Sequence, residues 1–192
     1  PMVTTWHEVW GDYWNGYLGR LAPFGKAVER VSALVPQHPI AVSEVTARRL
    51  AEIGPDRDEI SVVHNGIDVE RVQSIEPVET GFDVLFAGRL IEEKRVDILL
   101  EAFDSIAGQR DITLGIIGDG PKREDLETQA GTLYNRDRIS FLGFLDDYDQ
   151  VLAHMAAAPV FASPSTREGF GITYLEAMAA DCTVIGADHP DS

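Results

Sequence analysis

Residues 159–176 read PVFASPSTREGFGITYLE, and their order decides the fold. PVFASPS (159–165) suits a buried strand, and the residues from Arg167 to Gly171 form a glycine-punctuated loop. The EAMAA that follows (176–180) is a strong helix pattern. Strand, loop and helix in this order aim free backbone N–H groups and the positive end of a helix dipole at one spot. That arrangement suits an anionic ligand such as a phosphate. Gly169 and Gly171 let the backbone approach the ligand with no Cβ in the way. Glu168 stands before the helix and Glu176 stands inside it. Carboxylates do not bind phosphate, but they accept hydrogen bonds from hydroxyls. The stretch therefore describes a ligand made of phosphate and sugar.

Working outward, the pattern of strand and helix repeats. Downstream, CTVIGADHP (182–190) reads as a strand. Upstream come a helix in YDQVLAHMAAA (148–158), a strand in RISFLGFL (138–145) and a helix opened by Pro121. Before these stand a strand and glycine turn in ITLGIIGDG (112–120), a helix over 94–108 and a strand in DVLFAGR (83–89). In the 94–108 helix, Val96, Leu99, Leu100, Phe103 and Ile106 share one face. This order is that of a doubly wound α/β domain with a parallel sheet, whose ligands sit outside the carboxyl ends of the strands. Residues 68–81 carry no firm period and read as a linker. Residues 1–66 read β, α, β, α, β: a strand over 2–6, a helix from Pro23, a strand over 39–43, a helix capped by Ser43, and a strand over 59–66. The helix from Pro23 places Phe24, Ala27, Val28, Val31, Leu34 and Val35 at helical spacing.

The charge is unusual. Thirty-two acidic residues oppose 16 basic ones, a net of −16, and the basic set is 13 Arg and three Lys. A field this negative repels nucleic acid and anionic membrane. It fits an acidic protein in general, and more sharply a halophilic one, where salt screens the repulsion among surface carboxylates. The single cysteine, Cys182, rules out an internal disulfide framework and fits a reducing cytoplasm. No apolar run is long enough for a membrane-spanning helix, and the start lacks a signal-peptide pattern.

In so acidic a chain, basic residues at the ligand edge carry information. Arg89 leaves the carboxyl end of the 83–89 strand and Lys94 starts the next helix, the same sheet edge as the organising loop. A guanidinium fork and an ammonium can neutralise a diphosphate together. The alternative is a loop salt bridge to Glu92 or Glu93. Gly118 belongs to a tight turn, GDGP, and Phe144 and Leu145 end a strand that reads as core. His7 ends the first strand, whereas His38, His64, His154 and His189 read as structural or surface residues. Residues 19–27, GRLAPFGKA, miss P-loop spacing, and GFGITY lacks the third glycine of a dinucleotide fingerprint. A hydrolase using Glu168 and Glu176 as an acid–base pair leaves Arg89 and Lys94 without a task. No metal-binding motif appears.

The combined set of TWHE (5–8), NGID (65–68), AGRL…K (87–94), GDGP, FLGFL (141–145), EGFG…LEAMA and ADHP (187–190) resembles retaining glycosyltransferases of the GT-B fold, family 4 type, over almost the whole chain. Glu168 and Glu176 match the family's E-x7-E signature. The resemblance implies a GT-B α/β fold: 1–73 as the latter part of an N-terminal Rossmann-like domain with the linker start, and 80–192 as a C-terminal nucleotide-sugar-binding domain. It implies a fragment, inactive by itself, of a cytoplasmic enzyme. That enzyme would move a sugar, with retention, from a nucleotide-diphosphate donor to an acceptor that is a glycan, lipid-linked or a small molecule. Neither metal nor cofactor is implied, and nothing spans a membrane, although the full-length protein could associate with one peripherally.

By the same resemblance, Arg89, Lys94 and the backbone of Gly169, Phe170, Gly171 and Ile172 meet the diphosphate. Glu168 holds the sugar, and Glu176 holds the ribose. Gly88, Gly118, Phe144, Leu145 and Leu175 line the nucleotide, and His7 lies near the transferred sugar. Catalytic roles fall to Glu168, Arg89, Lys94 and His7. A GT-B phosphorylase, a nucleotide-sugar epimerase and a non-catalytic sugar-nucleotide binding module stay open as alternatives. One departure concerns the turn after the last helix. The family has Gly for a left-handed cap where this chain has Asp181.

Overall fold

A computed structural model describes residues 2–189. Contacts divide the chain into two units. The first runs to Gly66 and also takes Glu168–Phe170; the second holds Ile67–Arg167 and the residues from Gly171 onward.

In the first unit, β1 (Val3–Trp6) is followed by the short α1 (Trp14–Leu18), α2 (Ala22–Leu34), β2 (His38–Ala41), α3 (Glu44–Ile53) and β3 (Ser61–Val62). The strands form a parallel sheet in the order β1-β2-β3. Ser43 caps α3, accepting from the Thr46 N–H at 3.1 Å. Ala33, Ala41, Ala47, Leu50 and Ile60 make a small core. Two expectations change here. The strand expected over 59–66 pairs only at Ser61 and Val62. The helix from Pro23 forms, but Phe24 is 71% exposed and Val31 is 64% exposed, and the residues it buries are Ala22, Gly25 and Ala33. Small residues make the contacts: a Cβ at Gly25 would strike the Trp14 ring, and Ala33 fills the space a Cβ at Gly54 would need. Close approach on that side turns the large side chains outward.

The second unit starts at Ile67 and takes in the expected linker. Residues 69–74 form α4 (Val69–Ser74), capped by Asp68, whose Oδ1 accepts from the Arg71 N–H at 3.0 Å. There follow β4 (Val84–Ala87), α5 (Val96–Ala107), β5 (Leu114–Ile117), α6 (Arg123–Thr132), β6 (Ile139–Gly143), α7 (Tyr148–Ala157), β7 (Val160–Ser163), α8 (Ile172–Ala179) and β8 (Thr183–Gly186). All neighbours are parallel, in the order β6-β5-β4-β7-β8. Successive side chains of a strand point to opposite faces. Phe86 therefore joins Val96, Leu100 and Phe103 of α5 and Leu126 of α6, whereas Leu85 joins Leu152 and Met155 of α7 and Ala177 of α8. Val72 of α4 belongs to the second of these cores. Each of the Val, Leu, Phe and Met side chains contributes about 1.5–3 kcal/mol on burial. Within α5, Ala107 is buried where the pattern puts Ile106, which is 47% exposed. The strand order reverses between β4 and β7. Asp181 takes the left-handed turn, with φ 64°, at a cost of about 1 kcal/mol relative to glycine. Pro190, which closes the expected strand 182–190 and the ADHP motif, lies outside the described residues.

Candidate functional site

The carboxyl ends of β4 and β7 flank the point where strand order reverses, the place where open α/β sheets bind ligands. Two loops leave from there. The first runs from Gly88 through a 3₁₀ turn at Glu92–Lys94 to Arg95, which adopts left-handed φ and ψ of 48° and 40° and caps α5. The second runs from Pro164 to Gly171. They are tied through one atom, the carbonyl oxygen of Glu93. It accepts from the Thr166 N–H at 2.9 Å, from the Thr166 hydroxyl at 3.2 Å and from the Ser165 hydroxyl at 3.4 Å. The Arg167 side chain is buried, with Nη1 4.0 Å from Glu93 Oε1. Gly171, at φ 76° and ψ 47°, turns the chain into α8, and a Cβ there would meet the Tyr174 ring. Its glycine is demanded by backbone geometry and by the Tyr174 ring.

The loops after β5 and β6 complete the edge. The Leu90 N–H donates to the Asp119 carbonyl at 2.9 Å, the Lys122 N–H to the Leu90 carbonyl at 3.0 Å, and the Gly118 N–H to the Gly143 carbonyl at 2.8 Å. Gly118 has φ 129° and Gly120 has φ 158°, and a Cβ on either would strike backbone atoms of Gly88 or Leu90. GDGP is thus a tight turn, and one that presses directly on the β4 loop. The Asp119 carboxyl lies below its usual range, chiefly because it accepts from the Gly120 N–H and then because Arg123 is beside it at 2.9 Å.

These loops enclose a pocket of about 290 Å³. It is lined by Ala87–Arg89 after β4, by Ile117–Asp119 after β5 and by Phe144–Asp146 after β6, with Tyr148 and Val151 of α7 and Thr173 of α8. Five residues singled out from the sequence, Gly88, Arg89, Gly118, Phe144 and Leu145, thus line one cavity. Phe144 is 70% exposed rather than core, and Leu145 packs partly into the α7 side of the sheet. Arg89 is exposed, and its alternative task is not taken up: it makes no ion pair with any described residue. Lys94, in the 3₁₀ turn, is half-buried, as is Leu175, and neither lines the cavity. Ile172 is exposed and starts α8. Glu176 is buried on α8 behind the lining, where its Oε2 accepts from the Tyr148 hydroxyl at 2.5 Å. Burial, and then this bond, push the Tyr148 phenol well up from its ordinary pKa.

His7, Glu168, Gly169 and Phe170 belong to the first unit. His7 is exposed just after β1. Within that unit the Thr46 hydroxyl donates to the Gly169 carbonyl at 3.4 Å, and the Phe170 ring stacks on His64 with centroids 5.7 Å apart. A Cβ at Gly169 would strike the His7 carbonyl oxygen, so this glycine is needed for packing. Tyr148, Thr173 and Arg167 went unread in the sequence. Arg167 carried a signal, being the one basic residue of the 164–171 loop in an acidic chain; Tyr148 carried none, because its partner is 28 residues away. Among the described residues no His, Cys, Asp and Glu group could hold a metal, and no helix is long and apolar enough to cross a membrane.

The model of the family described as "Glycosyl transferases group 1" matches residues 69–191. The chain belongs to this family. A second model, "Glycosyltransferase Family 4", matches residues 1–71. Its relatives include a 2-deoxystreptamine glucosyltransferase of Streptomyces kanamyceticus, 32% identical over 84% of this chain and 45% of that protein. They also include a phosphatidyl-myo-inositol mannosyltransferase of Mycobacterium tuberculosis, 37% identical over 78% of this chain and 40% of that one. The group 1 chain therefore spans less than half the length of these relatives. Among solved structures it is similar to Anabaena HepE in complex with UDP and glucose, with a TM-score of 0.80 and 23% identity over 98% of this chain and 53% of that chain. It is also similar to WaaG, a glycosyltransferase involved in lipopolysaccharide biosynthesis, with a TM-score of 0.74 and 20% identity over 96% of this chain and 57% of that one. The two units are accordingly Rossmann-like parts of a GT-B fold, the fold that the family resemblance implied.

Proposed function

We propose that this chain carries the donor site of a retaining glycosyltransferase that takes its sugar from a nucleoside-diphosphate sugar. The observation that supports this reading most is Arg89. In a chain of net charge −16, Arg89 lines the cavity at the reversal of strand order and makes no ion pair with any described carboxylate, although Asp119 and Asp146 share that lining. A diphosphate is the ligand chemistry that such a cation serves. The base lies against Phe144 and Leu145, and the ribose reaches toward Glu176. Lys94 and the first N–H groups of α8 join Arg89 on the phosphates. Glu168 accepts from the sugar hydroxyls, and His7 stands by the transferred sugar.

The chemistry is departure of an anionic diphosphate from the anomeric carbon. Donors fixed in advance around the leaving group stabilise the charge as it develops. The acceptor is a glycan, a lipid-linked sugar or a small molecule, and the reaction draws on no metal.

Isothermal titration of the chain with UDP, GDP and ADP, in low and in molar salt, tests the reading. UDP comes first because HepE was crystallised with it. One nucleotide is expected to bind, and Arg89→Ala/Lys94→Ala to weaken it about a hundredfold or more, given roughly 1.5–3 kcal/mol for each charge-assisted contact. Silence from all three at millimolar concentration, or an unaffected double variant, refutes it.

A further inference from the structure

Glu176 is 8% exposed, and the Tyr148 hydroxyl is the only described side-chain group that donates to its carboxylate, at 2.5 Å. Tyr148 itself is 47% exposed and belongs to the lining of the cavity. It is the first residue of α7, and Asp147 caps that helix by accepting from the Asp149 N–H at 3.0 Å, which fixes the backbone that carries the ring. One side chain thus forms part of the pocket wall and, at its tip, bonds the Glu176 carboxylate, which keeps a small exposed fraction of its own.

A glutamate carboxylate has two oxygens and room for about four hydrogen bonds. Left to itself, the side chain must give up rotamer freedom before it can accept from a ligand. The Tyr148 hydroxyl bonds Oε2 and thereby fixes the carboxylate plane before any ligand arrives. Preorganisation of this kind raises affinity by lowering the ordering cost of binding.

We propose that Tyr148 is a positioning residue for ribose recognition: it holds Glu176 so that the free carboxylate oxygen accepts from the 2′,3′-diol of a nucleoside diphosphate in the cavity. The proposal rests on the donor-site reading above. Because burial and the bond to Glu176 keep the phenol protonated at and above neutral pH, Tyr148 stays a donor throughout the range in which the site would work.

The test is a cycle of Tyr148→Phe against removal of the ribose hydroxyls. The substitution keeps the ring and its place in the wall, and a thermal melt checks that the variant is folded. UDP, GDP and ADP, each beside its 2′,3′-dideoxy counterpart, are titrated into wild type and variant. Tyr148→Phe is expected to weaken the ribonucleotide about tenfold and to leave the dideoxynucleotide within about twofold of wild type. A merely structural role would weaken both alike. Equal losses, or no loss, overturn the assignment of Tyr148 while leaving the donor site standing. If wild type binds none of the three ribonucleotides, both readings fall.

Discussion

Gly118→Ala puts the geometry of the site to a quantitative test. Gly118 has φ 129°, a conformation that costs a residue with a Cβ about 1–3 kcal/mol. The new methyl would also overlap the Gly88 carbonyl oxygen. That oxygen cannot swing aside like a side chain. Its residue is held by the Gly88 N–H bond to the Ile117 carbonyl at 3.0 Å, and two residues on by the Leu90 N–H bond to Asp119 at 2.9 Å. Relief requires breaking at least one of these, at about 1–3 kcal/mol for a backbone group left unpaired. Together the terms come to about 2–6 kcal/mol, a large share of the roughly 5–15 kcal/mol that holds a typical domain. Urea unfolding followed by far-UV circular dichroism reads the loss, and nucleotide titration should show the pocket spoiled at the same time. Gly131→Ala is the control. A Cβ there, within α6, meets nothing within 4 Å, and the change should stabilise by about 0.5–1 kcal/mol. If Gly118→Ala unfolds within 0.5 kcal/mol of wild type, as judged against roughly that scatter for neutral substitutions, the packing of the GDGP turn on the β4 loop is wrong.

Cys182 is buried, donates to the Met155 carbonyl at 3.1 Å, and has its thiol pushed up to about 11, by burial first and then by Asp181. At pH 8 the folded chain should react with a disulfide reagent about a hundredfold more slowly than in urea. Since the pKa is raised on folding, the contribution to stability is complete below the ordinary thiol pKa and is lost as pH rises through about 11, so the melting temperature should fall over that window; a flat profile counts against the burial. A net charge of −16 predicts that molar NaCl raises the melting temperature by screening self-repulsion, and an unchanged or lowered value would remove the support for a halophilic surface.

The alternation of eight strands with helices was legible in the sequence alone, as were the residues whose chemistry suits a phosphate-bearing ligand; the reversal of strand order between β4 and β7 was not. Those features are local: the period of apolar residues and Ser43 as a cap depend on neighbours a few positions away. The left-handed turn at Asp181 was not read from its neighbours; the resemblance supplied it, through the glycine that the family has there. Tertiary structure decided the rest, because the deciding contacts join residues distant in sequence. The apolar stripe of α2 announces a helix but not which side meets the core, and contact through Gly25 and Ala33 turned it outward. Nothing near Gly118 in the chain tells that it must clear the Gly88 carbonyl, nor that Glu93 offers one oxygen to both Ser165 and Thr166. The pairing of Tyr148 with Glu176 exists only because α7 and α8 pack on the same face of the sheet, which brings a phenol and a carboxylate 28 residues apart to 2.5 Å.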